Sequence, residues 1–162
     1  MFKIGEHVIY NKDVCKIVDI KHNNSNDNNY YILIPVFDES LKIKVPAINK
    51  NNRLRTISTK KEIDDIINQI SNIEIIVSDK PLPDNDYKVL LNSQNILDIV
   101  RIVKTEYLNS QSENKKKVSN RDNKYLALAE KYLYQELAVV LEMNIEEAKK
   151  YFIKHLDKIA QK

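Results

Sequence analysis

The hydrophobic pattern of this chain changes its period once, near residue 58, and this change constrains the fold more than any other feature. Before that point apolar and polar residues alternate, as in β-strands whose two faces differ. After it, apolar residues recur every three or four positions, as on amphipathic helices. The pattern predicts an α+β protein of two domains, residues 1–56 and residues 57–162.

Short apolar segments in the first domain, separated by polar turns, predict five β-strands. In the second strand the alternation places Cys15 and Ile17 on one face and Ile20 on the other. The polar tract 23–29 is typical of a hairpin tip. Five such short strands predict a Tudor-like or SH3-like five-stranded β-barrel. The predicted strands cover residues 7–10, 14–21, 30–37, 41–45 and 54–57.

The second domain contains two capping boxes, each of which predicts the start of a helix. The first pairs Thr59 with Glu62, and the second pairs Asn144 with Glu147. Apolar stripes complete the prediction of a compact all-α bundle of four to five helices. Residues 73–86 show no helical period and are predicted to form an ordered loop. The inward-facing residues expected in the last two helices are Leu126, Ala129, Leu133, Leu137 and Val140, followed by Ala148, Phe152 and Leu156.

The distribution of charge favours a limited contact with nucleic acid. The net charge is +3, but residues 99–131 hold eight basic side chains and only four acidic ones. Such an excess suits contact with a few phosphates rather than coating of DNA. No apolar run approaches the ~20 residues that span a bilayer, and the N-terminal segment lacks the apolar core of a signal peptide. We therefore expect a cytoplasmic protein with no membrane partner.

The residue types that carry catalysis are scattered along the sequence. His7, His22 and His155 have no further ligands at metal-binding spacing, and a single glycine cannot supply a phosphate-binding loop. Two of the three carboxylate pairs, Asp64-Asp65 and Glu146-Glu147, fall in the first turns of predicted helices, where negative charge is favoured. Cys15 is a lone thiol in an apolar strand and is expected to be a core residue. We expect no catalytic residue, no cofactor and no metal, and therefore not an enzyme.

The fourth predicted strand carries two lysines, Lys42 and Lys44, on the face opposite its apolar residues. One interpretation is an edge strand whose charges protect it against aggregation. The other is an edge offered to a partner strand and flanked by cations. The pattern alone leaves both open.

Several segments resemble the CarD/CdnL family of bacterial transcription regulators. FKIGEHVIY from residue 2, CKIVDI from residue 15, YYIL from residue 30 and LKIKVP from residue 41 resemble its Tudor-like first domain. LNSQN at residues 91–95 resembles a short turn of the family, and residues 118–138 are similar to its C-terminal signature, so the likeness covers nearly the whole chain. The first hairpin lacks the family's glycine, and Asp13-Val14 is expected to fill the turn.

The resemblance implies a factor that binds the RNA polymerase beta subunit through its first domain. The helical domain would contact the upstream edge of the promoter bubble and so stabilise the open complex. In the family a sheet edge pairs with the beta-subunit lobe, supported by an arginine where this chain has Lys44. The implied polymerase-binding residues are Lys42, Ile43, Lys44, His22 and Asn23.

The implied DNA contacts involve the backbone and the minor groove, with little sequence specificity, and we expect a monomer. The family places a tryptophan wedge in the minor groove. This chain has no tryptophan, and Ile76 falls near that position. An aliphatic side chain can still prop open an unstacked base step. The implied DNA-binding residues are Ile76, Lys80, Arg101, Lys104, Lys115, Lys116, Lys117, Arg121 and Lys124.

Two other functions compete with this interpretation. A protein-only adaptor of the transcription machinery would bind one protein through each domain, and the missing tryptophan supports it. A small nuclease would rest only on scattered carboxylates. The salt dependence of promoter binding distinguishes the DNA-binding factor from the protein-only adaptor. Phosphate contacts release counterions, so binding to DNA weakens as salt increases, whereas a salt-insensitive complex favours the adaptor. Metal-dependent cleavage would identify the second.

Overall fold

The computed structural model describes residues 1–25, 28–48, 53–76, 84–111 and 120–160. The chain divides into two compact units, Met1–Ile57 and Ser58–Lys162, called here the sheet unit and the helical unit. A five-stranded antiparallel sheet precedes five α-helices, which confirms the predicted α+β class. None of the helices in the described ranges is long and apolar enough to cross a membrane.

The sheet unit is a continuous antiparallel ladder with two edge strands. Its strands are β1 (His7–Tyr10), β2 (Asp13–Asn23), β3 (Asn28–Pro35), β4 (Ile43–Pro46) and β5 (Leu54–Thr56). Their spatial order is β4-β3-β2-β1-β5, so β4 and β5 form the edges. The buried residues of its core are Val8, Cys15, Ile17, Tyr31, Leu33, Val45 and Leu54.

The first hairpin turns at Asn11 and Lys12, so the expectation of a turn at Asp13-Val14 was wrong. Tyr10 lies opposite Asp13 in the ladder. Asn11 and Lys12 have φ angles of 49° and 80°. Two left-handed residues make a tight hairpin turn whose twist matches that of the strands, and they do so here without glycine.

A β-bulge in β2 changes which residues face the core. Ile17 lies opposite Leu33, but Asp19 lies opposite Ile32, so Val18 is an extra residue in the ladder. Val18 is exposed, whereas Ile20 packs against the same core as Ile17. The expectation that Ile20 faces away from Ile17 was therefore wrong, because strict alternation fails across a bulge.

The helical unit surrounds a second core that includes Leu133, Phe152 and Leu156. Both predicted caps are confirmed: Glu62 N donates to Thr59 Oγ1 over 3.1 Å, and Glu147 N donates to Asn144 Oδ1 over 2.8 Å. The elements are α1 (Lys60–Asn68), a 3₁₀ turn (Ile70–Asn72), α2 (Asp84–Leu91), α3 (Ile96–Gln111), α4 (Asn120–Val140) and α5 (Ile145–Ala160).

Two expectations for this unit were wrong. Residues 84–86 begin α2 instead of belonging to a loop. Tyr87 of α2 stacks on Tyr125 of α4, with ring centroids 4.7 Å apart and planes 8° from parallel. Leu126 was expected to face the core at the start of α4, but it is only half-buried, and its neighbour Tyr125 is buried instead.

The end of α4 offers a test of backbone strain. Glu142 is exposed and left-handed, with φ at 54°. Met143 N donates to Ala138 O over 2.9 Å, which closes the helix in the motif that usually places glycine at the left-handed position. We expect Glu142→Gly to raise the free energy of unfolding by about 0.5–1 kcal/mol, because glycine adopts this conformation without steric cost. Denaturant unfolding of the variant measures it.

Glu142→Ala is the matched control, since it removes the same charge but keeps a Cβ atom in the left-handed conformation. Equal stability of the glycine and alanine variants would contradict the strain at this position.

Candidate functional site

The edge strand β4 has main-chain hydrogen-bonding groups that point away from the sheet. Ala47 N donates to Asn29 O over 2.8 Å, on the side of β4 that faces β3. In an antiparallel ladder, successive residues of a strand direct their main-chain groups alternately to the two sides. Val45, opposite Tyr31, is two residues before Ala47 and therefore also directs its main-chain groups towards β3. The N–H and C=O groups of Lys44 consequently point away from β3, towards the open edge.

The side chain of Lys44 is held above an aromatic ring. It is exposed, and its ammonium nitrogen lies 4.4 Å from the ring centroid of Tyr30. Pair register places Lys44, Tyr30 and Lys21 on the sheet face opposite the core. This contact is a cation–π interaction that orients the charge at the edge. Sequence reasoning missed Tyr30 because its contact with Lys44 depends on the register.

The five residues predicted to bind polymerase lie in two places. Lys42 and Ile43 directly precede Lys44. Ile43 is the first residue of β4 and packs partly against the sheet core, and Lys42 lies just before the strand. His22 and Asn23 end β2, two strands away from the edge. His22 Nδ1 lies 2.6 Å from Asn29 Oδ1, and Asn23 Oδ1 accepts from Ser25 N over 3.0 Å.

Lys104 of α3 does not lie on the surface, which corrects its prediction as a DNA contact. The residue is 3% exposed. Its ammonium group donates to the carbonyl oxygens of Ile70 at 2.7 Å, Ser71 at 3.4 Å and Ile73 at 2.6 Å. Burial lowers the pKa of Lys104. The charge is used to satisfy carbonyls at the end of the 3₁₀ turn and is not available to a phosphate.

Arg101 lies one turn before Lys104 and keeps part of its guanidinium exposed. Its Nε donates to Glu74 O over 3.1 Å, and one terminal nitrogen lies 3.6 Å from the carboxylate of Asp98. Its side chain is 32% exposed. A cation that is partly engaged in this way can still contact a phosphate from its exposed side.

Ile76 is half-buried and packs against the helical core. Its N–H donates to Thr105 Oγ1 over 2.9 Å. The preceding residue, Ile75, is 38% exposed. The backbone therefore turns Ile76 inward and leaves Ile75 as the apolar side chain that solvent reaches.

The remaining predicted DNA contacts are only partly described. Lys124 is exposed on α4. Lys80, Lys115, Lys116 and Lys117 lie outside the described residues, as does the side chain of Arg121. The structure therefore describes three of the predicted DNA-binding side chains other than Lys104: Arg101, Lys124 and Ile76.

The thiol of Cys15 lies in the core of the sheet unit. Cys15 is fully buried, which confirms its assignment to the core. Burial, reinforced by the charge of Asp13, raises the pKa of Cys15 to about 11, so the thiol is protonated at neutral pH. Among the described residues, no group of three His, Cys, Asp or Glu side chains is arranged to hold a metal ion.

Comparison with known families identifies the helical unit. The fold defines a two-unit protein, a small antiparallel sheet followed by a helical bundle. Residues 85–152, from α2 to the middle of α5, match the family model described as CarD, C-terminal domain. This match supports the resemblance of the chain to the CarD/CdnL family and a role related to transcription. No curated protein matches the chain.

Proposed function

We propose that this protein binds the RNA polymerase beta subunit through the β4 edge of its sheet unit and the upstream edge of the promoter bubble through its helical unit. Both contacts together stabilise the open complex, and the protein acts by binding rather than by catalysis. The observation that carries the proposal is the CarD C-terminal domain at residues 85–152, joined to a sheet unit with an open edge.

The polymerase contact is supported by the geometry of Lys44. Its main-chain groups point to the open side of β4, where an added strand would pair with them. Its ammonium is fixed above Tyr30 and would face an acidic side chain on that strand. The resemblance implies an arginine at this position. Lysine supplies the charge but only a single-point contact, without bidentate geometry.

The DNA contact is supported by Arg101 and Lys124, the two predicted DNA-binding cations that the structure describes with accessible side chains. Contacts of this kind position a protein on the phosphate backbone without reading sequence. A weak contact suffices, because attachment to polymerase raises the local concentration of the helical unit at the promoter.

The mechanism is differential binding. A factor that touches DNA only when the strands have separated shifts the equilibrium from the closed to the open complex by its extra affinity for the latter. A preference of about 1.4 kcal/mol changes the ratio of the two complexes tenfold. The protein needs no chemical step for this effect.

Charge reversal at the edge tests the polymerase contact. We expect Lys44→Glu to weaken capture of polymerase at least about tenfold. The introduced carboxylate would repel an acidic side chain of the partner, and the cation–π contact with Tyr30 is lost. Pull-down of polymerase by the full chain at several concentrations measures this effect.

Lys61→Glu is the charge-matched control. Lys61 is exposed in the first turn of α1, where a negative charge suits the helix dipole. We expect this variant to retain polymerase at the wild-type level. Wild-type capture by Lys44→Glu would refute the β4 edge as the binding surface.

A protein-only adaptor is the second candidate, and the burial of Lys104 favours it by removing one cation from the helical surface. Titration of polymerase-bound protein against forked promoter DNA at increasing salt decides between the two functions. A DNA contribution that vanishes with salt supports the proposed function, whereas a complex insensitive to salt supports the adaptor.

A further inference from the structure

Three side chains on one side of α3 bind the main chain of residues 70–76. Lys104 donates to three carbonyls, Arg101 Nε donates to Glu74 O, and Thr105 Oγ1 accepts from Ile76 N. We call Arg101, Lys104 and Thr105 the α3 clamp. Five hydrogen bonds within seven residues fix a segment that otherwise contains only a single 3₁₀ turn.

The centre of the clamp is the buried ammonium group of Lys104, which is surrounded by main-chain carbonyl oxygens. Lys104 and Thr105 are 3% and 5% exposed. An ammonium group removed from water is costly unless acceptors surround it. The carbonyl oxygens of Ile70, Ser71 and Ile73, in the 3₁₀ turn and directly after it, supply those acceptors.

The clamp determines which isoleucine faces solvent. Ile73 leaves the 3₁₀ turn with extended angles, φ −70° and ψ 123°. Ile73 and Ile76 both pack against the helical core, at the two ends of the clamped stretch. Ile75 lies between them and is exposed. With Glu74 O and Ile76 N both held by α3, rotation that would exchange Ile75 and Ile76 breaks these hydrogen bonds.

We propose that Lys104 and Thr105 are positioning residues that present Ile75, rather than Ile76, as the apolar side chain that contacts the separated strands. This inference rests on the proposed function and deepens it by naming the presented residue and the groups that hold it. Neither Lys104 nor Thr105 touches DNA.

Open-complex lifetimes test the presentation of Ile75. We expect Ile75→Ala in the full chain to shorten the lifetime about three- to tenfold, through loss of an apolar contact with an unstacked base step. Ile145→Ala is the matched control, because Ile145 is exposed to the same extent, 37%, but lies at the start of α5. We expect no change for this control and wild-type polymerase binding for both variants.

A double-mutant cycle tests whether Lys104 acts through Ile75. Lys104→Met keeps the length of the side chain but removes its donors. We expect it to shorten the lifetime, and the variant with both substitutions to match Ile75→Ala within about twofold, since the effects of coupled residues do not add. If the lifetime of the doubly substituted variant falls by the product of the two single effects, Lys104 does not act through Ile75 and its positioning role is refuted.

Amide hydrogen exchange at Ile76 tests the clamp without DNA. We expect Thr105→Val, which removes the acceptor while keeping the shape, to accelerate this exchange about tenfold or more, and Lys104→Met to accelerate it as well. Unchanged exchange in both variants would refute the role of the α3 clamp without contradicting the proposed function. If the wild-type chain prolongs the open complex but Ile75→Ala leaves its lifetime unchanged, the role of Ile75 is refuted and the proposed function stands. A wild-type chain without effect on the open complex removes the proposed function and the role of Ile75 together.

Discussion

Replacement of Phe152 by alanine is expected to lower the free energy of unfolding of the helical unit by about 3–5 kcal/mol. Phe152 lies on α5 and is fully buried. Its ring meets that of Tyr134 edge to face, with centroids 6.1 Å apart. Truncation removes the transfer free energy of the ring and leaves a cavity that the packed helices cannot fill completely. Denaturant unfolding followed by helical circular dichroism measures the loss.

Lys154→Ala serves as the control for this substitution, because Lys154 lies two residues further along α5 and is exposed. We expect a change within about 0.5 kcal/mol. The sheet unit has its own core, so hydrogen exchange at Val8 should be unaffected by Phe152→Ala. A loss below about 1 kcal/mol would contradict the placement of Phe152 at the centre of the helical core.

Local signals made α1 and α5 predictable from the sequence. Each begins with a cap whose donor and acceptor lie within three residues, Thr59 with Glu62 and Asn144 with Glu147. The apolar stripe of α5 predicts the burial of Phe152, which the structure confirms. Such signals need no knowledge of the partner elements, because hydrogen bonds and periodicity within one helix determine them.

Features that depend on tertiary contacts were not predictable in the same way. α2 has a weak apolar stripe, and its docking relies on the stacking of Tyr87 on Tyr125, 38 positions later. The bulge at Val18 is defined only by the pairing of β2 with β3. A single sequence shows which residues are apolar but not which residue of the partner strand each one meets.

The same distinction applies to the positions of the predicted site residues in the fold. Lys44 was predicted on a strand with a polar face, and the structure places it on an edge, but its contact with Tyr30 required the register. Lys104 was predicted as a phosphate contact from the family resemblance and from its place in the basic segment 99–131. The carbonyls that surround it come from residues 70–73, more than thirty positions earlier, and no local pattern indicates them.

Replacement of Glu136 by alanine should also destabilise the helical unit, by about 2–4 kcal/mol. Glu136 is 2% exposed on α4. Its Oε1 accepts hydrogen bonds from Ser58 N over 3.0 Å and from Ser58 Oγ over 2.8 Å. These bonds join the first residue of the helical unit to a helix 78 positions later. Alanine leaves a buried N–H and a hydroxyl without this acceptor, and thermal or denaturant unfolding reports the cost.

Two further variants assign this cost to the hydrogen bonds rather than to lost volume. Glu136→Gln keeps the shape and one acceptor oxygen, so we expect it to lose less than half as much stability as Glu136→Ala. Ser58→Ala removes the hydroxyl but keeps the main-chain N–H, and its effect should shrink when Glu136 is already alanine, because both substitutions then remove the same bond. Additive effects of Ser58→Ala and Glu136→Ala would show that Glu136 stabilises α4 through its other contacts and not through Ser58.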